Sequence, residues 1–148
     1  MYRLRNGAVE VLLVHPGGPF WQNKDAGAWT IPKGELNENE DPLTAAQREF
    51  HEELGYSPTG PFHSLGSIKQ KAGKLVHAWA VEGNRDPTTT HCNTVELEWP
   101  PRSGKKITFP EIDRAEFFTV EQARVRINSA QIPLLDTVKK LVASERRA

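Results

Sequence analysis

Residues 34–56 read GELNENEDPLTAAQREFHEELGY, and the part from Asp41 onward carries the marks of one short helix. Asp41-Pro42 supplies a polar cap and a proline for the first turn, and Gly55 closes the segment, so the spacing predicts a helix over Leu43 to Leu54. At about 100° of rotation per residue, Glu49, Glu52 and Glu53 fall within an arc of about 100°, while Leu43, Ala46, Phe50 and Leu54 share a neighbouring apolar face. Side chains three or four positions apart have Cβ atoms about 6 Å apart. At an effective dielectric near 20, two like charges at about that distance repel by almost ~3 kcal/mol. Arg48 can relieve part of this by pairing with a glutamate. A hard cation such as Mg²⁺, which prefers oxygen ligands and keeps several waters, would relieve the rest and leave positions open for phosphate oxygens. A solvated acidic helix face is the plain alternative.

The wider spacing favours the cation. Gly34 is followed after five residues by Glu40, and after seven more by Arg48-Glu49-Phe50-His51-Glu52-Glu53-Leu54-Gly55-Tyr56. This pattern resembles the signature of the Nudix hydrolases, the MutT-like family. Phe50 and Tyr56 stand where that family usually has aliphatic residues, a departure that bears on packing more than on chemistry. The resemblance implies an α/β/α sandwich with a mixed β-sheet, and hydrolysis of a nucleoside diphosphate linked to another moiety with Mg²⁺ or Mn²⁺. Carried over by position, Glu49, Glu52 and Glu53 become metal-ligand candidates, together with the carbonyl of Gly34. Glu52 or Glu53 also becomes a candidate acceptor for the proton of attacking water, and the two are not distinguished. Arg48 is expected to orient a glutamate, and Glu40 to support the loop or an outer metal. An additional carboxylate from outside the helix is expected, with Glu111 as first choice and Glu98 second.

Further substrate contacts are read from residue type and position. Lys33, just before the helix segment, is a phosphate candidate, with Lys69 and Lys71 near a later hairpin as weaker ones. Phe20, Trp21, Trp29 and Trp99 offer π-faces to a base, and Trp21 and Trp29 lead that group, although aromatic residues are more often core than ligand-binding. His15, at the end of a strand, is a candidate contact for substrate, against a capped or solvated imidazole.

The whole chain sets the frame. Its 148 residues, 37% hydrophobic and 26% charged, suit one domain over residues 1–148 with a real core. Lys plus Arg and Asp plus Glu both number 19. A balance of that kind, without a long basic tract, points away from polymeric nucleic acid as the main partner. One cysteine, Cys92, excludes an intramolecular disulfide and cannot make a zinc site alone, which suits a reducing cytoplasm. Neither a signal peptide nor a membrane-spanning apolar run is present in the sequence. The chain enters a strand at once, whereas relatives in the resembling family usually carry a few residues before it, so a cropped or short amino terminus is expected.

Along the chain, a short strand at Tyr2 to Arg5 leads through Asn6-Gly7 into a strand over Val9 to Val14. His15-Pro16-Gly17-Gly18-Pro19 breaks it, an exposed aromatic loop follows, and Trp29-Thr30-Ile31 reads as a short strand. Leu65 to Gln70 and Leu75 to Val81 form a hairpin, residues 83–94 a polar loop, and Val95 to Trp99 another strand. Phe117-Phe118 leads into Thr119-Val120-Glu121-Gln122, a capping box for a helix through about Ile127, and a terminal amphipathic helix follows Pro133. Periodicity alone makes this an α+β domain with a mixed sheet.

Two phrases narrow the substrate. VLLVHPGGPFWQNKDAGAWTIPKGE is similar to a small microbial Nudix group regarded as nucleoside triphosphate pyrophosphohydrolases, and the Trp29 to Gly34 run resembles diadenosine polyphosphate hydrolases. The resemblance implies a small-molecule nucleotide or dinucleoside polyphosphate first and a nucleoside diphosphate sugar second. A catalytically silent domain that senses nucleotides is the alternative from another class. Such domains usually lack part of the glutamate set, which is whole here.

Overall fold

A computed structural model describes residues 1–33, 39–69, 73, 75–84, 86–87 and 93–147. Strands β1 (Tyr2–Arg5) and β2 (Ala8–Pro16) form an antiparallel hairpin, and β2 pairs on its other side with β7 (Ile112–Thr119). Helix α1 (Pro42–Leu54) comes between β2 and the hairpin of β3 (His63–Lys69) and β4 (Leu75–Ala80). A second hairpin joins β5 (Thr94–Glu98) to β6 (Lys106–Pro110) just before β7, and α2 (Val120–Arg126) and α3 (Ile132–Arg147) end the fold. The ladders between these strands are antiparallel. The strands form three sheets, β1-β2-β7, β3-β4 and β5-β6, and parallel pairing enters only as isolated bridges between Tyr2 and Glu82 and between Trp29 and Ile127, which gives the described residues mixed strand directions.

The layering follows from β2. Val11, Leu12, Leu13 and Val14 are all buried, and successive side chains of a strand point to opposite faces. Val11 and Leu13 join a core with Trp29, Phe118, Ile127, Leu135 and Val138, on the side of α2 and α3. Leu12 and Val14 join a second core with Phe50 and Leu54 of α1 and Ala115 of β7. A strand apolar on both faces needs cover on both faces, and the helices supply it.

Local signals act as expected at the helix ends. Asp41 accepts the Thr44 N–H, Pro42 opens α1, and Gly55 at φ 78° turns its N–H back to the His51 carbonyl at 2.7 Å. Thr119 and Gln122 form both halves of a capping box on α2. Other expectations change. Trp29-Thr30-Ile31 is no strand in its own right: Thr30 makes one bridge to Val14 and Trp29 one to Ile127, which pins a connecting segment across two elements. Strands β6 and β7 stand where the sequence reading names no strand, because long-range pairing with β5 and β2 overrides charged, weakly patterned sequence such as Ile112-Asp113-Arg114. Much of the expected 83–94 loop and of the turn after Lys69, with Cys92 and Lys71, lies outside the described residues. Among those described, no helix is long and apolar enough to cross a membrane.

Two stability measurements check this packing. Leu13 is fully buried, and Leu13→Ala is expected to cost about 2–5 kcal/mol in urea unfolding. Thr119→Ala, which removes one half of the capping box, is expected to cost about 1 kcal/mol.

Candidate catalytic site on helix α1

The acidic residues of α1 do not share one environment. Glu53 is 4% exposed, on the seam where α1 meets the sheet, whereas Glu52 is only partly buried. The expected division into a packed face and an acidic face is therefore incomplete: Ala45, Phe50, Glu53 and Leu54 are the buried residues of this helix. Glu53 Oε2 accepts the backbone N–H of Lys33 at 3.1 Å, which ties the segment before α1 to the middle of the site.

Arg48 organises the rest. Its Nε and Nη2 donate to the two carboxylate oxygens of Glu40 at 2.8 and 2.9 Å, a fork that sets both planes. Nη1 donates to Glu52 at 3.1 Å and lies 2.9 Å from Glu49 Oε1. One guanidinium thus serves three carboxylates, and their charge holds its proton well above the usual arginine range, the Glu40 hydrogen bond first. Glu40, just before α1, is thereby tied to the helix through this arginine.

Glu111 belongs to the same charge cluster. It follows β6 and precedes β7, and its charge acts on both Glu53 and Glu49. Burial chiefly, then repulsion from Glu111, pushes the Glu53 carboxyl up to about 8; the Lys33 N–H pulls it back only partly. Burial also raises Glu49, against the pull of Arg48. Such a cluster is short of positive charge. Among the described residues, no three His, Cys, Asp or Glu side chains converge tightly enough to hold an ion as they stand. The donor set is nonetheless all carboxylate oxygen with an uncompensated buried member, which fits a hard divalent cation better than a soft or imidazole-seeking one.

The remaining candidates separate by position. Gly34 lies outside the described residues. Lys33 is half-buried beside Glu53 and close enough to act on its charge. Glu98 is exposed at the end of β5, where its Oε1 accepts the Gly104 N–H at 3.4 Å, so it caps its own hairpin. Lys69 is exposed at the last position of β3, opposite Leu75.

Trp29 and His15 need correction as substrate contacts. Both are fully buried, with ring centroids 5.2 Å apart, and Trp29 also meets Phe118 edge-on, which leaves no open face for a base. His15 Nδ1 lies 2.7 Å from Asp113 and Nε2 2.5 Å from the Lys24 carbonyl, so this ring bridges β7 and the loop after β2. The sequence reading missed that bridge, because its partners lie 98 and 9 positions away. Trp21, by contrast, remains partly open on that loop.

Comparison with known proteins accords with this geometry. The NUDIX domain family model matches residues 1–138. An RNA pyrophosphohydrolase of Cellvibrio japonicus (strain Ueda107) is 40% identical over 50 residues, 32% of this chain and 29% of that protein. One of Francisella tularensis subsp. mediasiatica (strain FSC147) is 41% identical over 55 residues, 36% of each chain. The match thus spans about a third of those relatives' length. Among solved structures, a C. elegans Ap4A hydrolase binary complex superposes with a TM-score of 0.65 at 21% identity, covering 97% of this chain and 94% of the other. The NUDIX domain of Shewanella oneidensis NrtR complexed with ADP ribose gives 0.64 at 13% identity, covering 95% and 82%. With the family model spanning nearly the whole chain and the fold shared with these structures, this protein belongs to the NUDIX domain family.

Proposed function

We propose that this chain is a metal-dependent hydrolase that cleaves a phosphoanhydride bond of a nucleotide or dinucleoside polyphosphate by attack of water, acting as one domain over residues 1–148 in the cytoplasm. The observation that carries this reading is the carboxyl cluster of Glu49, Glu53 and Glu111, in which burial and mutual repulsion disfavour charge on Glu53 while Arg48 is engaged by Glu40, Glu49 and Glu52. Glu49, Glu52 and Glu53 are the residues that would hold Mg²⁺ or Mn²⁺, with Glu111 and the Gly34 carbonyl as further donors. When bound, such an ion offsets phosphate charge and lowers the pKa of water. Glu52 and Glu53 are the candidates to accept the proton of that water, and Lys33, beside Glu53, is the candidate to meet a phosphate oxygen. Arg48 acts as a positioning residue through Glu40, Glu49 and Glu52. Two of the similar folds are described as an Ap4A hydrolase and as a NUDIX domain complexed with ADP ribose, which favours a nucleotide substrate.

A second reading rests on the two RNA pyrophosphohydrolases. A 5′-terminal triphosphate of an RNA presents the same kind of bond, and it asks for a grip on one end only, which a chain of zero formal charge does not exclude.

The test is a panel of nucleoside triphosphates, dinucleoside polyphosphates, nucleoside diphosphate sugars and a triphosphorylated RNA oligomer, with and without Mg²⁺, products being identified after reaction in ¹⁸O-labelled water. Hydrolysis of a phosphoanhydride with Mg²⁺ alone supports the proposal. Glu53→Gln and Glu52→Gln are expected to lower kcat by about 10²–10⁴-fold with an unchanged circular dichroism spectrum. Arg48→Ala, which disturbs the orientation of the ligands, and Glu111→Gln, which removes a donor, are each expected to weaken Mg²⁺ affinity by about 10–100-fold. Nucleotide binding without turnover would instead indicate a sensor and sink the hydrolase.

A further inference from the structure

His15 is a buried imidazole that the proposed chemistry leaves unused, and it stands two positions before the glycine that holds Glu111. Nδ1 lies 2.7 Å from Asp113 Oδ1 and Nε2 2.5 Å from the Lys24 carbonyl oxygen. A carboxylate and a carbonyl oxygen only accept, whereas a neutral imidazole offers one N–H and one lone pair. A ring with a single proton would therefore aim one lone pair at an oxygen, inside the fold where neither group can turn away to solvent. Both contacts are hydrogen bonds only when each nitrogen carries a proton, with Asp113 as the counter-ion of the imidazolium. The other charged groups around the ring have partners of their own. Asp25 accepts the Trp29 indole N–H and pairs with Arg126, the Lys24 ammonium sits over Phe20, and the Arg114 guanidinium covers Trp29 with its Nε 3.7 Å from the same Asp113 oxygen.

This pair marks the point where β7 breaks register. His15 stands opposite Arg114 and Pro16 opposite Ile112, so Asp113 is the extra residue of a β-bulge. Asp113 and Arg114 both turn to the Trp29 side, and Ile112 packs instead with Ala115 and Phe117 on the core that faces α1. Strict alternation would have sent Asp113 to that face, next to helix α1 and its glutamates. Glu111 comes immediately before the bulge with both backbone groups held: its N–H donates to the Asn93 carbonyl, and its own carbonyl accepts the Gly17 N–H, each at 2.9 Å. Gly17 fits this close because a Cβ there would collide with the Pro110 carbonyl oxygen. Residues 15–17 on one strand and 111–113 on the other thus form a closed circuit, fastened at one end by the His15 ring and at the other by Gly17.

We propose that His15 is a positioning residue for Glu111: with a proton on each ring nitrogen it pins the bulge at Asp113, and the bulge fixes the backbone from which Glu111 serves as a donor to the divalent cation. The inference rests on the hydrolase reading for the presence of that cation. His15 itself touches neither the acidic residues of α1 nor the candidate phosphate contact Lys33, so its effect falls on metal affinity and not on the nucleotide.

Two measurements test this. In ¹⁵N-resolved NMR of the wild-type protein, both His15 ring nitrogens are expected to carry a proton, and Mg²⁺ is expected to shift the ring resonances in the wild type but not in Glu111→Gln. A bare ring nitrogen, or a ring that ignores Mg²⁺, overturns the inference. Electron paramagnetic resonance then follows Mn²⁺ binding without turnover. Affinity is expected to fall about tenfold in His15→Gln, which loses the bond to Asp113, and in Asp113→Asn, which removes the counter-ion of the second proton. His15→Asn, whose amide still reaches Asp113, is expected to stay close to the wild type. In turnover, the two weakened variants should need about tenfold more Mg²⁺ for half-maximal rate, with KM for the nucleotide and kcat at saturating Mg²⁺ unchanged. Unaltered Mn²⁺ affinity with only a lower unfolding temperature makes the pair structural, which overturns the inference and leaves the hydrolase standing. The expected losses of affinity in a protein that cleaves no phosphoanhydride retain the positioning role and reject the hydrolase. Where a variant does not fold, the ring resonances of the wild type decide alone.

Discussion

Arg48 donates a two-pronged hydrogen bond to Glu40 and spreads its remaining nitrogen between Glu49 and Glu52. Without it, α1 would carry Glu49, Glu52 and Glu53 within one turn and a step, a helix working against its own charge. With it, the segment before the helix is fastened to the helix's exposed side. Glu53 instead takes the backbone N–H of Lys33 as its hydrogen-bond partner.

The burial of Glu53 is a consequence of how α1 is seated. Leu12 and Val14 of β2 need cover on the face opposite the main core, and Phe50 and Leu54 provide it. Glu53 lies between those two on the helix and goes in with them. An ionisable group drawn into an apolar seam by its neighbours costs stability unless something pairs with it. The Lys33 N–H is a partial answer, and Glu111 acts in the opposite sense. The packing that holds the helix is also what strips water from this carboxylate.

Loop and hairpin extend the same logic outward. Glu111 lies where β6 hands over to β7, and its charge acts on the α1 cluster while its carbonyl accepts the Gly17 N–H from the loop after β2. One residue connects the charged centre to that loop. His15 secures the far side of that loop by bridging Asp113 and Lys24.

Short-range patterns were sufficient for much of this. Asp41, Pro42 and Gly55 delimit α1 within a residue, Thr119 and Gln122 mark the start of α2, and the order of Glu40, Arg48, Glu49, Glu52 and Glu53 is legible because helix geometry converts sequence spacing directly into direction. Other outcomes depended on contacts that spacing cannot express. Trp29 and His15, plausible ligand contacts by residue type, are core because β7 and α2 close over them. Strands β6 and β7 exist through pairing with partners far along the chain, and the meeting of Glu111 with Glu53 joins positions 58 residues apart. Local rules act through backbone dihedrals and nearest turns, so the chain alone determines which groups a helix presents. Burial and long-range proximity arise only when the layers pack, and they decided which of those groups lost their water.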